Sequence, residues 1–291
     1  MTKVTHQNCP ICTSTLLEVA FDGQDYSHSG ESFSVYKCTT CDFHFTQDAP
    51  DAKSIGPYYQ SDDYVSHSDK QEGLFFKVYH WVRNYMLKQK RKMIAIPKGN
   101  LLDIGCGTGY FLNEMKTHGW SVDGIEQDER ARKYGAEKFQ LSVKDITAMD
   151  QLKEQHYDAI TLWHVLEHVH ELHPYLRQIK KALKPSGELL VAVPNRTSYD
   201  AKKYGKYWAA WDLPIHLWHF SPQNIADLVA QHGMKVKRHY PLPFDAFYVS
   251  LLSEKYKRGN ALKGLMVGSW SWLRSIGNPR KCSSVVYVIQ R

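Results

Sequence analysis

Leu101-Leu102-Asp103-Ile104-Gly105-Cys106-Gly107-Thr108-Gly109-Tyr110-Phe111-Leu112 reads as a buried strand, a glycine turn and the start of a helix. The apolar run ends at Asp103. Gly105, Gly107 and Gly109 then alternate through a turn where positive φ carries no Cβ penalty and bare backbone lets a ligand come close. Tyr110, Phe111, Leu112 and Met115 supply the apolar face of the helix that follows. A ligand at this turn rests against backbone at a helix N-terminus.

The dinucleotide fingerprint G-x-G-x-x-G would need its third glycine at position 110, which is Tyr110. The spacing here is D-x-G-x-G-x-G. A second acid, Glu126, stands 21 residues after Gly105, at the end of the next apolar segment, Val122 to Ile125. An acid one βα unit on, at a strand's C-terminal end, is placed to accept both hydroxyls of a ribose. Asp103 to Gly109 together with Glu126 resemble the class I S-adenosylmethionine-dependent methyltransferases, and the likeness runs over roughly residues 95 to 242. The resemblance implies an α/β fold, a doubly wound seven-stranded Rossmann-like sheet. It implies that Asp103, Gly105, Gly107 and Gly109 hold the methionine part of S-adenosylmethionine and that Glu126, with Gln127 beside it, holds the ribose. It further implies that Asp145 bonds the adenine amino group, that Ile146 touches the ring, that Trp163 lines the cofactor and that Tyr64 contacts it from a lid.

The alternation beyond Glu126 suits that fold. Asp128 caps a helix through Lys138, Leu141 to Lys144 is a short strand, and Tyr157 to Leu162 is the next. Leu172 to Leu183 reads as a helix and Gly187 to Val193 as the fifth strand. Ser221-Pro222 opens another helix, Met234 to Tyr240 is a strand, and Ser283 to Gln290 is a last, antiparallel one.

Four of the six cysteines stand at the start, as Cys9-Pro-Ile-Cys12 and Cys38-Thr-Thr-Cys41, with 25 residues between the pairs. Two C-x2-C knuckles so spaced offer four thiolates to one tetrahedral zinc, with room for a hairpin between them. A redox C-x-x-C pair is the rival, but such motifs accompany a βαβ unit. About fifty residues cannot bury enough apolar surface alone, so the zinc is expected to be structural. Residues 1–48 are thus read as a zinc ribbon, 49–94 as a linker and lid helix, and 95–291 as the methyltransferase domain. Leu74, Phe75, Val78, Trp81, Val82, Tyr85 and Met86 give the lid helix its apolar spacing, with Lys88, Lys90, Arg91 and Lys92 near its end where cations suit the dipole.

The 291 residues, with 43% hydrophobic and 23% charged, suit a globular protein with a real core. No signal segment is visible and no apolar run approaches the ~20 residues that span a bilayer, which predicts a cytoplasmic location. Net charge is +7, unevenly spread: residues 1–50 carry two Lys against six acids, and residues 251–291 carry eight Lys or Arg against Glu254 alone. An anionic partner should meet the C-terminal end.

His164-Val165-Leu166-Glu167-His168 matches the H-x-x-E-H pattern of zinc proteases. Its place just after a strand of a cofactor-binding sheet favours another role, since the resembled family has a similar turn at the edge of its active site. His164 is there an active-site candidate. Residues 194–220 carry Tyr199, Tyr204, Tyr207, Trp208, Trp211, Trp218 and Phe220 with Asp212, His216 and His219. Such a loop beyond the strand ends either builds an acceptor pocket or forms a satellite core. His216 is the first candidate for a general base, ahead of His219 and His164. Residues 244–281 form a basic insertion in which Leu262, Leu265, Met266, Trp270, Trp272 and Leu273 read as a helix packed on the domain or as an interfacial one meeting anionic lipid.

The order of these segments is most similar to small-molecule methyltransferases that modify quinones and sugars, which implies O-methylation of a small acceptor, anionic or lipid-linked acceptors included, without a transmembrane segment. A ribosomal RNA methyltransferase is the rival enzyme. The acidic ribbon argues against nucleic acid, and Val193-Pro194-Asn195 lacks the Asn-Pro-Pro-Tyr signature of adenine N6 enzymes. A non-catalytic, cofactor-binding assembly protein is the rival from another class.

Overall fold

The computed structural model describes residues 2–59 and 74–291, with side chains of the first helix described from residue 80. Tyr64 lies outside the described residues. In chain order the elements are β1 (Lys3–Val4), β2 (Leu17–Gln24), β3 (Ser32–Cys38), β4 (His44–Thr46), β5 (Ala49–Pro50), α1 (Leu74–Met93), β6 (Asn100–Ile104), α2 (Tyr110–Thr117), β7 (Ser121–Ile125), α3 (Glu129–Phe139), β8 (Val143–Lys144), β9 (Tyr157–Trp163), α4 (Leu172–Ala182) and β10 (Leu183–Pro194). They continue with α5 (Tyr199–Tyr204), β11 (Trp218–His219), α6 (Pro222–Gln231), β12 (Lys235–Pro241), α7 (Asp245–Tyr256), α8 (Ala261–Ser275) and β13 (Ser284–Gln290).

Seven strands form one sheet in the order β12-β13-β10-β9-β6-β7-β8. β13 runs antiparallel to both of its neighbours, β10 and β12, and the other pairings are parallel. β6 lies between β7 and β9, and Leu101, Leu102, Asp103 and Ile104 are all buried, which is why its sequence runs apolar on both faces. Alternation sorts the neighbours. Leu102, Ile160 and Leu189 face a core shared with Leu176 and Ile179 of α4 and Leu228 of α6. Leu101, Ala159 and Leu190 face a second core with Phe111, Leu112 and Met115 of α2. Truncating Leu101 or Leu102 to alanine should cost about 2–5 kcal/mol. Strand order reverses between β6 and β9, so the crevice beyond the carboxyl ends of these strands is where this architecture binds ligands.

The N-terminal strands are not a detached module. The second sheet has the order β11-β4-β3-β2, with Trp218 opposite Phe45 and His219 opposite His44. Phe33, Val35, Phe43 and Phe45 share one core with Leu213, Leu217, Trp218 and Phe220. Knuckle carbonyls are also gripped from the larger domain: Asn224 Nδ2 donates to Cys41 O at 3.1 Å, Gln231 Nε2 to Ile11 O at 3.0 Å, and His173 Nε2 to Pro10 O at 2.8 Å.

Residues 194–220 resolve the choice between pocket and core for most of their rings. Trp208, Trp211, Trp218 and Phe220 are buried. The Asp200 carboxylate, fully buried, accepts from Trp208 Nε1 at 2.7 Å, Ser271 Oγ at 2.6 Å and Ser283 Oγ at 2.7 Å, tying this satellite core to α8 and to the start of β13. The insertion 244–281 is a helical hairpin, α7 and α8, rather than one helix.

Candidate active site

The glycine turn has positive φ at Gly105 (70°), Gly107 (52°) and Gly109 (81°), for different reasons. A Cβ on Gly105 would lie 2.4 Å from Val165 Cγ2 and one on Gly109 2.5 Å from Leu141 Cδ1, so these two let the turn pack. A Cβ on Gly107 would meet nothing within 4 Å. That open backbone is the cradle a ligand needs, and it stands before α2, whose N-cap, Gly109, supplies no side-chain cap to the first N–H groups.

Acids surround the cradle. Glu126, at the end of β7, accepts from Gly107 N at 2.7 Å and from Asp128 N at 2.9 Å, one bond per oxygen, which leaves a lone pair on each for a hydroxyl. Asp103 is buried and accepts from Thr161 Oγ1 at 2.5 Å; burial pushes its carboxyl up to about 7, against the opposing pull of Thr161 and Lys90. Asp145, exposed after β8, accepts from Thr147 N at 2.8 Å, and Ile146 beside it is 42% exposed, an apolar edge left open to a ring. Gln127 is exposed, its carbonyl taking Arg132 Nη1 at 2.7 Å. Trp163 meets Phe111 edge-on at 5.3 Å, and its buried Nε1 has no partner among the described residues. These residues fit S-adenosylmethionine: a backbone cradle, a ribose acid, and an apolar and an acidic contact for the base.

Lys90, read from the sequence only as a helix-end cation, belongs to this site. Its Nζ stands 4.3 Å from the Trp163 ring centroid, and burial lowers its pKa while Asp103 and Asp245 pull it up. No spacing rule announces it, because α1 meets the sheet only in the fold.

His164 has positive φ (58°) and is followed by a single 3-10 turn, Leu166–His168, so the histidines of H-x-x-E-H do not align on one α-helical face. Instead His164 Nδ1 faces Glu167 Oε1 at 3.3 Å and its Nε2 faces Asp245 Oδ2 at 3.1 Å. Burial opposes the charge, but the two carboxylates raise the imidazole to about 10. An imidazolium that donates from both nitrogens has no lone pair for a proton, so the expectation of His164 as a base gives way to a positioning role. Asp245, absent from the sequence reading, is brought by the first turn of α7.

His216 is buried. Its Nδ1 donates to Ala210 O at 2.9 Å, which fixes the tautomer and leaves Nε2 as an acceptor, 3.9 Å from Asp212 Oδ2. Burial lowers its pKa, so it is neutral near pH 7. The His168 ring lies edge-on to it at 4.6 Å, with Nδ1 donating to Ile215 O at 3.0 Å and the Tyr59 hydroxyl 3.2 Å away. Glu167, His168 and His216 each bring one ligand-type atom within 4.8 Å of the others, and Glu167 Oε2 has no hydrogen-bond partner among the described residues. This trio, not the sequence pattern His164 to His168, is where a cation would find three ligands in the site. His219 is elsewhere: its Nε2 donates to Thr46 Oγ1 at 3.0 Å and its ring lies edge-on to Trp211 at 4.7 Å. The expectation of a base there gives way to a buried link under the ribbon.

The four cysteine sulfurs lie within 4.8 Å of one another, with Cys9 Sγ and Cys41 Sγ 3.5 Å apart and Cys12 Sγ and Cys38 Sγ 3.5 Å apart, all as free thiols. That donor set suits tetrahedral zinc.

A family model described as a methyltransferase domain matches residues 78–239, more than half of the chain. The ubiquinone biosynthesis O-methyltransferase of Pelagibacter ubique is 28% identical over 191 residues, which cover 62% of this chain and 76% of that protein. The protein of the same description from Caulobacter vibrioides is 36% identical over 129 residues, 40% of this chain and 51% of that one. The crystal structure of the cyclase SpnF aligns with a TM-score of 0.55 at 16% identity, over 84% of this chain and 97% of that one, a likeness of fold alone.

Proposed function

Because the chain belongs to the class I S-adenosylmethionine-dependent methyltransferases, we propose that it methylates a hydroxyl oxygen of a small molecule, with His216 as general base. The observation that carries this reading is the tautomer of His216. Ala210 O holds its Nδ1–H, which leaves a neutral, buried Nε2 lone pair in the cluster with Glu167, His168 and Asp212, on the loop that follows the C-terminal end of β10. S-adenosylmethionine, when bound, supplies an activated methyl group on a sulfonium. The chain's own residues have the remaining work of binding, aligning and deprotonating. Gly107 admits the ligand's chain, Glu126 takes its ribose hydroxyls, and Asp145 with Ile146 and Trp163 holds its base and edge. As the acceptor oxygen takes the methyl, its proton passes to His216 Nε2. Glu167 and Asp245, bridged by His164, hold the start of α7 against the turn that carries His168.

The names of the relatives support a phenolic acceptor of the quinone-precursor type, and the acidic ribbon supports a small molecule over RNA. The four cysteines are assigned a structural zinc that keeps the ribbon sheet, and through β11 the loop bearing His216, in place. The test is transfer of labelled methyl from S-adenosylmethionine to catechols with a short prenyl chain, in parallel with total RNA. Label on a catechol oxygen supports the reading. Label in RNA alone, or on no acceptor hydroxyl, overturns it.

A further inference from the structure

In α8 the usual amphipathic order is reversed. The residues turned inward are small: Gly264, Gly268, Ser271 and Ser275 are buried, the two glycines against α7, where a Cβ on Gly268 would lie 2.9 Å from Phe247 Cα and one on Gly264 3.0 Å from Leu251 Cα. The large apolar residues point outward. Leu262 is 69% exposed, Met266 65% and Trp270 49%, with Leu265, Trp272 and Leu273 exposed beside them and Ile276 just past the helix end. At 100° per residue, Leu262, Leu265, Met266, Ser269 and Leu273 share the face opposite the glycines, and Lys263 and Arg274 lie together along one edge of it. The helix cannot roll to hide this face, because Ser271 Oγ is held by the buried Asp200 at 2.6 Å.

The surroundings are cationic. Lys255, Lys257, Arg258, Lys263, Arg274, Arg280 and Lys281 are all exposed, while Glu254, the one acid of residues 251–291, is buried. Where α8 ends, Lys237, His239, Asn278 and Arg280 are among the residues lining a shallow cavity of about 390 Å³ that has no carboxylate in its wall. A second copy docking through this face would bring the same cations together. An apolar strip edged by cations, beside a basic hollow, matches the surface of an anionic bilayer: acyl chains for the strip, headgroup phosphates for the rim.

We propose that the α7–α8 hairpin is a membrane-docking element, with α8 lying in the plane of an anionic lipid surface. With 15 residues α8 is about 22 Å long, too short for the ~30 Å hydrocarbon core, and no described helix is long and apolar enough to cross a membrane. The hairpin also begins in the active site, since Asp245, the first residue of α7, bonds His164. Docking by α8 therefore sets the crevice one helix away from the lipid surface.

The full-length protein, mixed with vesicles of phosphatidylcholine containing phosphatidylglycerol at about one lipid in three, should sediment with them and show a blue-shifted tryptophan emission from Trp270 and Trp272. Pure phosphatidylcholine should bind on the order of tenfold more weakly, and so should K263Q/R274Q on the mixed vesicles. M266E/L273E, both on the exposed face, should stay folded by circular dichroism and lose binding. Three results would overturn the proposal: no sedimentation of the wild type with anionic vesicles, equal binding to both compositions, or a dimer in lipid-free solution that M266E/L273E dissociates. None of these readouts depends on methyl transfer.

Discussion

His219 Nε2 lies 3.0 Å from Thr46 Oγ1, and the same hydroxyl donates to the carbonyl of His216 at 2.7 Å. One threonine of the ribbon thus holds both histidines of the loop, beside the backbone pairing of β4 with β11. The ribbon is part of the wall that presents His216, and its metal has consequences beyond residues 1–48.

One equivalent of zinc per chain is expected by elemental analysis, and Cys38→Ser should lose it. Removing the metal by chelation should lower the thermal midpoint, at about 2–4 °C per kcal/mol for a chain of this size. It should also change the fluorescence of Trp211 and Trp218, which contact the ribbon through Phe21 and Phe43. Chelation that strips the metal and leaves the tryptophan spectrum unchanged would separate the ribbon from the loop.

Gly107→Ala tests the cradle. Left-handed backbone at φ 52° costs a side chain about 1–2 kcal/mol, so a modest drop in melting temperature is expected, while the unliganded turn has space for the methyl. Calorimetric titration with S-adenosylhomocysteine should show affinity reduced by at least about tenfold beyond that strain. Wild-type affinity in a folded variant would place the ligand elsewhere.

His216→Ala should lower kcat by ~10²- to 10⁴-fold with cofactor affinity unchanged. In the wild type, burial lowers the His216 pKa below 6.5, so kcat should hold across neutral pH and fall only on acidification, as Nε2 takes up a proton. A pH–rate profile that rises through the usual imidazole range near 6.5, or an unaffected variant, assigns the base to another group.

For His164 the folded-state value, about 10, lies above the unfolded one, about 6.5. Its contribution to stability is fully present below pH 6.5 and is lost as the pH rises through 10. Thermal melts of the wild type and His164→Gln should therefore differ most near pH 6, with the gap narrowing by pH 10. A gap independent of pH would mean that His164 is neutral between Glu167 and Asp245.

Local rules carried the fold: the apolar run closed by Asp103, three glycines at alternate positions, Glu126 one βα unit later, and the Ser221-Pro222 cap all depend on residues within one or two elements of each other. The same holds for the cysteine pairs, because metal-ligand spacing is written within a knuckle. His216 was legible as a candidate because it follows the fifth strand at its C-terminal end.

Tertiary structure alone decided the rest. Asp245 reaches His164 across 81 positions and Lys90 reaches Trp163 across 73, pairings that no periodicity encodes. The charge of His164, the tautomer of His216 and the burial of His219 under Thr46 follow from which group stands opposite each ring nitrogen. The outward face of α8 is the clearest case. Its sequence sorts large apolar residues onto one face and Gly264, Gly268, Ser271 and Ser275 onto the other, and only the close approach of α7 to Gly264 and Gly268 determines that the small residues face the protein and the large ones face outward.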